Sequence, residues 1–185
     1  VFVTAPPFLD NDGVHGPAMV RRERYFAAGR HPLRLDWFNQ RLGSDLQLSS
    51  FFLSPDAKSP ITETPPPNYL HAVGASCFQG SWFRLPNFQM LTPVKSGAVT
   101  NFDLGFRTRN EMVGIRFEGY FDAPQSGKYR FELSSDDGSR LWVDAPRLQI
   151  KKNGVTKRPT PRQVRIAEPM KGLNEHTLVT IEGRP

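Results

Sequence analysis

Cysteine is nearly absent from the sequence. Cys77 stands alone among 185 residues, so the chain cannot form an internal disulfide and is not a disulfide-stabilised scaffold. No run of about 18 apolar residues occurs, which predicts that the protein does not insert into a membrane. Helical periodicity is also scarce, so the sequence does not predict a helical fold.

Catalytic motifs are missing as well. Cys77 has no histidine close to it in sequence, and the spacing of the histidines fits no metal site: His15, His31, His71 and His176. There is no G-x-S-x-G elbow for a nucleophilic serine and no glycine-rich phosphate loop. The carboxylate pair of a glycosidase is set in space, so spacing alone leaves that class open. We predict that the chain is not an enzyme.

Alternation of apolar and polar residues is what the sequence has instead. It is clearest in three stretches, 33–37, 113–121 and 129–133. A strand with one apolar and one charged face is half buried, as in a two-sheet sandwich. The 17 Pro and 15 Gly suit short strands joined by frequent turns. The predicted fold class is all-β, a two-sheet antiparallel β-sandwich of jelly-roll type.

Positive charge is in excess, because 24 Lys and Arg against 18 Asp and Glu give a net charge of +6. Much of the excess lies between Arg147 and Arg165, where there is no acidic residue. Basic runs can bind polyanions, but no aromatic residue accompanies this one to stack on a base. We interpret 147–162 as a solvated basic linker and expect no nucleic-acid partner.

One long motif lies between Val113 and Asp144. It reads RFEGYF, then the turn DAPQSG, the strand KYRFEL, the acidic turn SSDDGS and finally RLWVD. In order and spacing it resembles the protective-antigen-type (PA14) β-sandwich domain, which occurs in bacterial toxins, glycosidases, yeast flocculins and adhesins, and many bacterial surface proteins. Residues 78–88 resemble the opening strand and following loop of the same family.

The two halves of this family pattern stand in inverted order. Residues 1–50 resemble the half that follows the acidic turn, and residues 72–146 resemble the half that leads to it. One explanation is a cut through a tandem array. We favour the other, a single permuted sandwich, because neither half can bury its apolar face alone. A Pro-rich linker over 51–71 would join the halves, and 163–185 would begin a separate, small, barrel-like β unit.

The acidic turn is the candidate site. Asp136 and Asp137 offer adjacent carboxylates, and these hard oxygen ligands suit Ca²⁺. The alternative is a structural turn in which the carboxylates accept backbone N–H bonds. In the flocculin and adhesin branch of this family, the equivalent pair is joined by a cis peptide and holds Ca²⁺, and sugar hydroxyls complete the shell.

The resemblance also places the loop after residue 9 near this turn. It therefore adds three candidate metal ligands: Asp10, Asn11 and Asp12. The candidate ligand-binding residues are Asp136, Asp137, Gly138 and His15. Gly138 and His15 also have a structural interpretation. Glycine suits any tight turn, and a lone loop histidine is commonly held by hydrogen bonds.

The resemblance implies a non-catalytic carbohydrate- or glycan-binding module, Ca²⁺-dependent, acting in adhesion. We expect it to be part of a secreted or cell-surface bacterial multidomain protein, located outside the cell, at its surface or in the periplasm. Its partners would be a carbohydrate or cell-wall glycan and the neighbouring domains of the parent chain. The alternative is a structural spacer or protein–protein interaction module without a ligand site.

Overall fold

The computed structural model describes residues 6–55 and 69–144, which belong to one compact unit. The strands of this part are β1 (Leu9–Asn11), β2 (Ala18–Phe26), β3 (Gly29–Asn39), β4 (Asp45–Ser54), β5 (Leu70–Gln79), β6 (Lys95–Gly97), β7 (Val113–Ala123), β8 (Gly127–Asp136) and β9 (Ser139–Val143). Its helical segments are two 3₁₀ turns, Phe88–Met90 and Leu104–Phe106, and none of them could cross a membrane. The predicted basic linker 147–162 and small β unit 163–185 lie outside the described residues.

Two antiparallel sheets form the fold. The larger has six strands in the order β1-β9-β3-β7-β5-β6, and the smaller has three in the order β2-β8-β4. Their inner faces hold the core, because the alternating apolar residues of β3, β7 and β8 all turn inward. The predicted all-β sandwich is confirmed.

Aromatic rings fill much of the space between the sheets. Phe121 is fully buried, and its ring centroid lies 5.0 Å from those of Tyr129 and Phe131 in edge-to-face contacts. Phe26, from the other end of the sequence, packs 5.2 Å from Phe121. Edge-to-face pairs of this kind add about 0.5–1.5 kcal/mol each to the gain from burial. Residues from both sides of the Pro-rich stretch therefore share one core.

The Pro-rich stretch is shorter than predicted. β4 continues to Ser54 and β5 begins at Leu70, so both ends of the predicted linker 51–71 are strand. The reason is packing, since Leu53 is 1% exposed and the ring of Phe52 lies 5.2 Å from that of Tyr129. Residues 56–68 lie outside the described part of the chain.

One end of the sandwich gathers the loops that matter for a site. In the larger sheet, the last residue of β3 and the last residue of β5 both pair with Val113, the first of β7. In the smaller sheet, Asp45 at the start of β4 pairs with Asp136 at the end of β8. We call the connections at this end the rim: 12–17, 40–44, 80–87, 107–112 and 137–138.

Candidate functional site

The two aspartates of the acidic turn have different environments. Their shared peptide bond is cis. Asp137 is 3% exposed. Its Oδ1 accepts a hydrogen bond from the His15 backbone N–H at 3.0 Å, and its Oδ2 accepts one from the Gln40 N–H at 2.8 Å. A buried carboxylate needs such donors, so Asp137 ties two rim loops to the turn, as the structural alternative expects.

Asp136 has no such partners. Its side chain is half buried, and its carboxylate makes no hydrogen bond or ion pair with any residue that the structure describes. Burial raises the pKa of Asp136, the charges of Asp137 and Asp45 raise it further, and only His15 opposes them. A Cβ on Gly43 would lie 3.0 Å from Asp136 Oδ2, so that glycine leaves the carboxylate its space. The arrangement leaves uncompensated negative charge at the rim.

Asn39 is a site residue that sequence reasoning missed. Its side chain is fully buried, and Oδ1 has no hydrogen-bond partner among the described residues, although Nδ2 donates to the Asn110 carbonyl at 2.8 Å. Alternation along β3 puts this side chain on the same side as Trp37, whose indole N–H donates to the Asp136 carbonyl at 3.2 Å. An unsatisfied buried oxygen costs about 1–3 kcal/mol. A bound cation would supply the missing partner.

The loop carrying Asp10 and Asp12 reaches the acidic turn, but its acids are committed elsewhere. Asp10 Oδ1 lies 2.9 Å from Arg140 Nε, and Asp12 Oδ2 lies 3.1 Å from Arg140 Nη2. Asp12 Oδ1 also accepts a hydrogen bond from the Leu85 N–H at 2.7 Å. Both aspartates therefore neutralise an arginine.

Asn11 uses its amide nitrogen within the fold, since Nδ2 donates to Ser135 Oγ at 3.0 Å and to the Ala18 carbonyl at 3.1 Å. The part of the chain that the structure describes holds no group of three or more His, Cys, Asp or Glu placed to bind a metal. That Asp10, Asn11 and Asp12 serve as metal ligands stays a prediction. Any cation at the turn would depend on amide, carbonyl and ligand oxygens beside the aspartates.

A comparison with known proteins finds a family model that matches part of the chain. The model is that of the PA14 domain, and it matches residues 100–166. Over this segment the chain is similar to PA14 domains. The match includes β7, β8, the acidic turn and β9, and it confirms the resemblance drawn from the sequence. No curated protein and no solved structure matches the chain. PA14 domains are known in carbohydrate-binding and other modules.

His15 holds a rim loop of the sandwich in place. Its Nδ1 lies 2.8 Å from the Gly16 carbonyl and its Nε2 lies 3.0 Å from the Asn11 carbonyl. A neutral imidazole has one N–H, so only the protonated ring can donate to both. Burial lowers the pKa of His15, but the two carbonyls and the charges of Asp137 and Asp136 outweigh it, and the net shift is upward. The His15 ring therefore holds its loop in place through both of its nitrogens.

Gly138 has a packing role in the acidic turn. It is buried, and a Cβ there would lie 2.5 Å from the ring of Phe38 and 2.7 Å from the backbone nitrogen of Gly13. Both distances are far below van der Waals contact, so the position has no space for a side chain. The structure therefore gives Gly138 a steric explanation without a ligand.

Exposed apolar side chains surround the rim. Val14 is 51% exposed, Leu42 is 88% exposed and Phe83 is 75% exposed, each on a different rim loop. Leu42 also has a φ of +68°, a conformation that a branched side chain rarely adopts. By contrast, Trp37 and Trp142 are buried in the core.

The loop of Phe83 is attached to the acidic turn through Gln40. Gln40 Oε1 accepts a hydrogen bond from the Trp82 N–H at 3.1 Å, while the Gln40 N–H itself binds Asp137. The indole of Trp82 lies over Gly80, where a Cβ would come within 2.3 Å of the ring. Phe83 is thus presented by an anchored segment next to the candidate site.

Proposed function

We propose that this PA14 domain is a non-catalytic carbohydrate-binding module whose rim holds Ca²⁺ through Asp136, Asp137 and Asn39. The observation that carries the proposal is the pair of unpartnered oxygen groups, the Asp136 carboxylate and the buried Asn39 Oδ1, at one end of β3. A buried oxygen without a partner, such as Asn39 Oδ1, is rare in folded proteins because it is costly. A cation would give Asn39 that partner and would offset the negative charge of Asp136.

The oxygen chemistry fits calcium. Ca²⁺ takes 6–8 oxygen ligands, including carboxylates, amide carbonyls and water. Asp137 keeps lone pairs beyond those used by His15 and Gln40, because a carboxylate has about four acceptor sites. The three side chains leave much of the shell open, and hydroxyls of a ligand would complete it. The cation would also lower the pKa of Asp136 by opposing the effects of burial and of neighbouring carboxylates.

The surroundings of the rim favour a sugar as that ligand. A pyranose carries hydroxyls along its edge and C–H groups on its faces. The acidic turn offers polar contacts, and the exposed apolar side chains of Val14, Leu42 and Phe83 offer surfaces for C–H groups. Aromatic rings contribute large apolar area at low conformational cost. A ligand that carries both hydroxyl groups and C–H faces suits this end of the sandwich.

A location outside the cell supports the same function. Calcium sites in extracellular modules commonly have dissociation constants of about 10⁻⁴–10⁻³ M, which match the abundance of the ion there. We accordingly place the domain on a secreted or cell-surface protein, in adhesion to a carbohydrate or cell-wall glycan. Neighbouring domains of the parent protein would be its further partners.

The proposal is tested by titrating Ca²⁺ into the protein by calorimetry and then screening glycans with and without a chelator. Asp136→Asn and Asn39→Ala should each weaken Ca²⁺ binding at least tenfold, a loss of about 1.4 kcal/mol for each factor of ten. The matched control is Asp122→Asn, because Asp122 pairs with Arg30 at the opposite end of the sandwich. Equal Ca²⁺ binding by wild type and both rim variants would contradict the metal site.

The second candidate is a structural spacer or protein-interaction module, and the capping of Asp137 favours it. That carboxylate already satisfies two backbone N–H groups without any ion. If the spacer is correct, excess Ca²⁺ leaves the melting temperature unchanged, since a ligand that binds only the folded state must raise it. A Ca²⁺-dependent rise that disappears in Asp136→Asn excludes the spacer.

A further inference from the structure

The strand ladders divide the sandwich into two interdependent segments. The first, 9–54, contains β1 to β4, and the second, 70–143, contains β5 to β9. No strand of the first segment pairs with another strand of that segment. Every ladder that it makes is to the second segment: β1 to β9, β2 to β8, β3 to β7 and β9, and β4 to β8.

The second segment depends on the first almost as fully. β8 has β2 and β4 as its neighbours, and β9 has β1 and β3, so both strands are flanked on each side by the first segment. Alone, the second segment retains only the ladders of β5 with β6 and β7. The core is shared in the same way, because Phe26 packs 5.5 Å from Phe131 across the boundary. Neither segment can bury its apolar faces or pair all of its strands alone.

We infer that a second copy of this chain can supply either segment, so that residues 9–54 of one molecule complete residues 70–143 of another. The ladders and core contacts are identical whether the segments belong to one chain or to two. The candidate site would then be composite, with Asn39 and Gln40 from one copy and Asp136 and Asp137 from the other. Each exchanged dimer would present two rims and gain avidity for a repetitive ligand.

Concentration decides between the two arrangements. Two segments that are joined covalently in one chain meet at an effective concentration of the order of millimolar. A dilute chain therefore closes on itself, and exchange appears at high protein concentration, or when the segment in the same chain cannot pair. Mutations that damage one segment of a chain prevent that segment from pairing and so impose exchange.

The test uses two full-length variants, each damaged in one segment. Leu35→Asp with Trp37→Asp buries charge in β3, and Phe117→Asp with Phe131→Asp does the same in β7 and β8, since all four side chains are fully buried. Each variant alone should lack a cooperative unfolding transition. Refolded together, they should yield one intact sandwich for every two chains, measured as near-ultraviolet circular dichroism on a species of two-chain mass by light scattering.

The control mixes two variants damaged in the same segment. Phe26→Asp with Leu33→Asp, combined with Leu35→Asp and Trp37→Asp, leaves no intact first segment, so no native signal should return. The inference is overturned if the cross-segment mixture gives no more native signal than this control while wild type refolds at the same concentration. It is also overturned if native signal returns on a species of single-chain mass, because a second copy would then be unnecessary.

Discussion

At the scale of single residues, the neighbouring aspartates separate a structural role from a binding role. Asp137 is the structural member, because it is buried and accepts backbone N–H bonds from two rim loops. Asp137→Ala should lower the free energy of unfolding by about 2–5 kcal/mol, since hydrogen bonds to a charged acceptor are worth about 1.5–3 kcal/mol each. Urea unfolding in the presence of a chelator measures this. A loss below that of Asp136→Ala would contradict the assignment.

His15 makes the stability of the rim depend on pH. Its pKa is raised in the folded state, so the protonated ring contributes stability that is complete below its usual pKa of about 6.5. That contribution is lost as the pH rises through the higher folded-state pKa. The stability advantage of wild type over His15→Gln should therefore shrink across this window, as measured by urea unfolding at a series of pH values with chelator present. Parallel curves for the two proteins would contradict it.

At the scale of elements, the acidic turn requires glycine at position 138, where there is no space for a side chain. Gly138→Ala would place a Cβ 2.5 Å from Phe38 and 2.7 Å from the Gly13 nitrogen. Overpacking of this kind costs about 1–3 kcal/mol or more, so the melting temperature should fall. Gly16→Ala is the matched control in the same rim, since its Cβ would meet nothing within 4 Å. Equal melting temperatures for the two variants would show that the turn adapts.

The strands that the sequence predicted are those with a regular pattern. β7 and β8 alternate throughout, so their inward faces could be identified without coordinates. β2 has no such signal over Ala18–Arg24, because this edge strand is mostly exposed and carries charges on both faces. β1 and β6 have only three residues each, too few for any periodicity to be detected.

The sequence predicted only part of the geometry around the candidate site. The acidic turn and the loop of Asp10 and Asp12 do meet, since the His15 backbone N–H donates to Asp137 Oδ1, as the family resemblance implied. The loop acids are paired with Arg140, 128 or more residues away along the chain, and one-dimensional spacing carries no information about such a partner. Asn39 was missed for the same reason. Its position at the end of a strand was visible, but its unpaired buried oxygen is a property of the packed fold.

At the scale of the whole molecule, the predicted inversion of the two family half-patterns is compatible with one sandwich, because β1 and β9 lie side by side. Leu9 pairs with Leu141 across the β1–β9 ladder, and the Phe8 N–H donates to the Leu141 carbonyl at 2.7 Å. The chain leaves β9 at Asp144 a few residues from where it enters β1. In the family order these strands would be joined directly by a turn, and here the connection runs from β4 to β5 instead.

A permuted variant in the family order should therefore fold. It would begin at residue 69, run to Asp144, pass through a short Asn-Gly-containing hairpin turn to residue 6 and end at residue 55, so that it retains all the described ladders. We expect a cooperative unfolding transition and the near-ultraviolet spectrum of the parent, because permutation is tolerated where native ends are close. The same variant with Trp37→Asp is the unfolded control, since the indole is fully buried and its N–H binds the Asp136 carbonyl. If the permuted chain matches that control, the β9-to-β1 junction is not equivalent to a hairpin, and the order of the segments is itself required for folding.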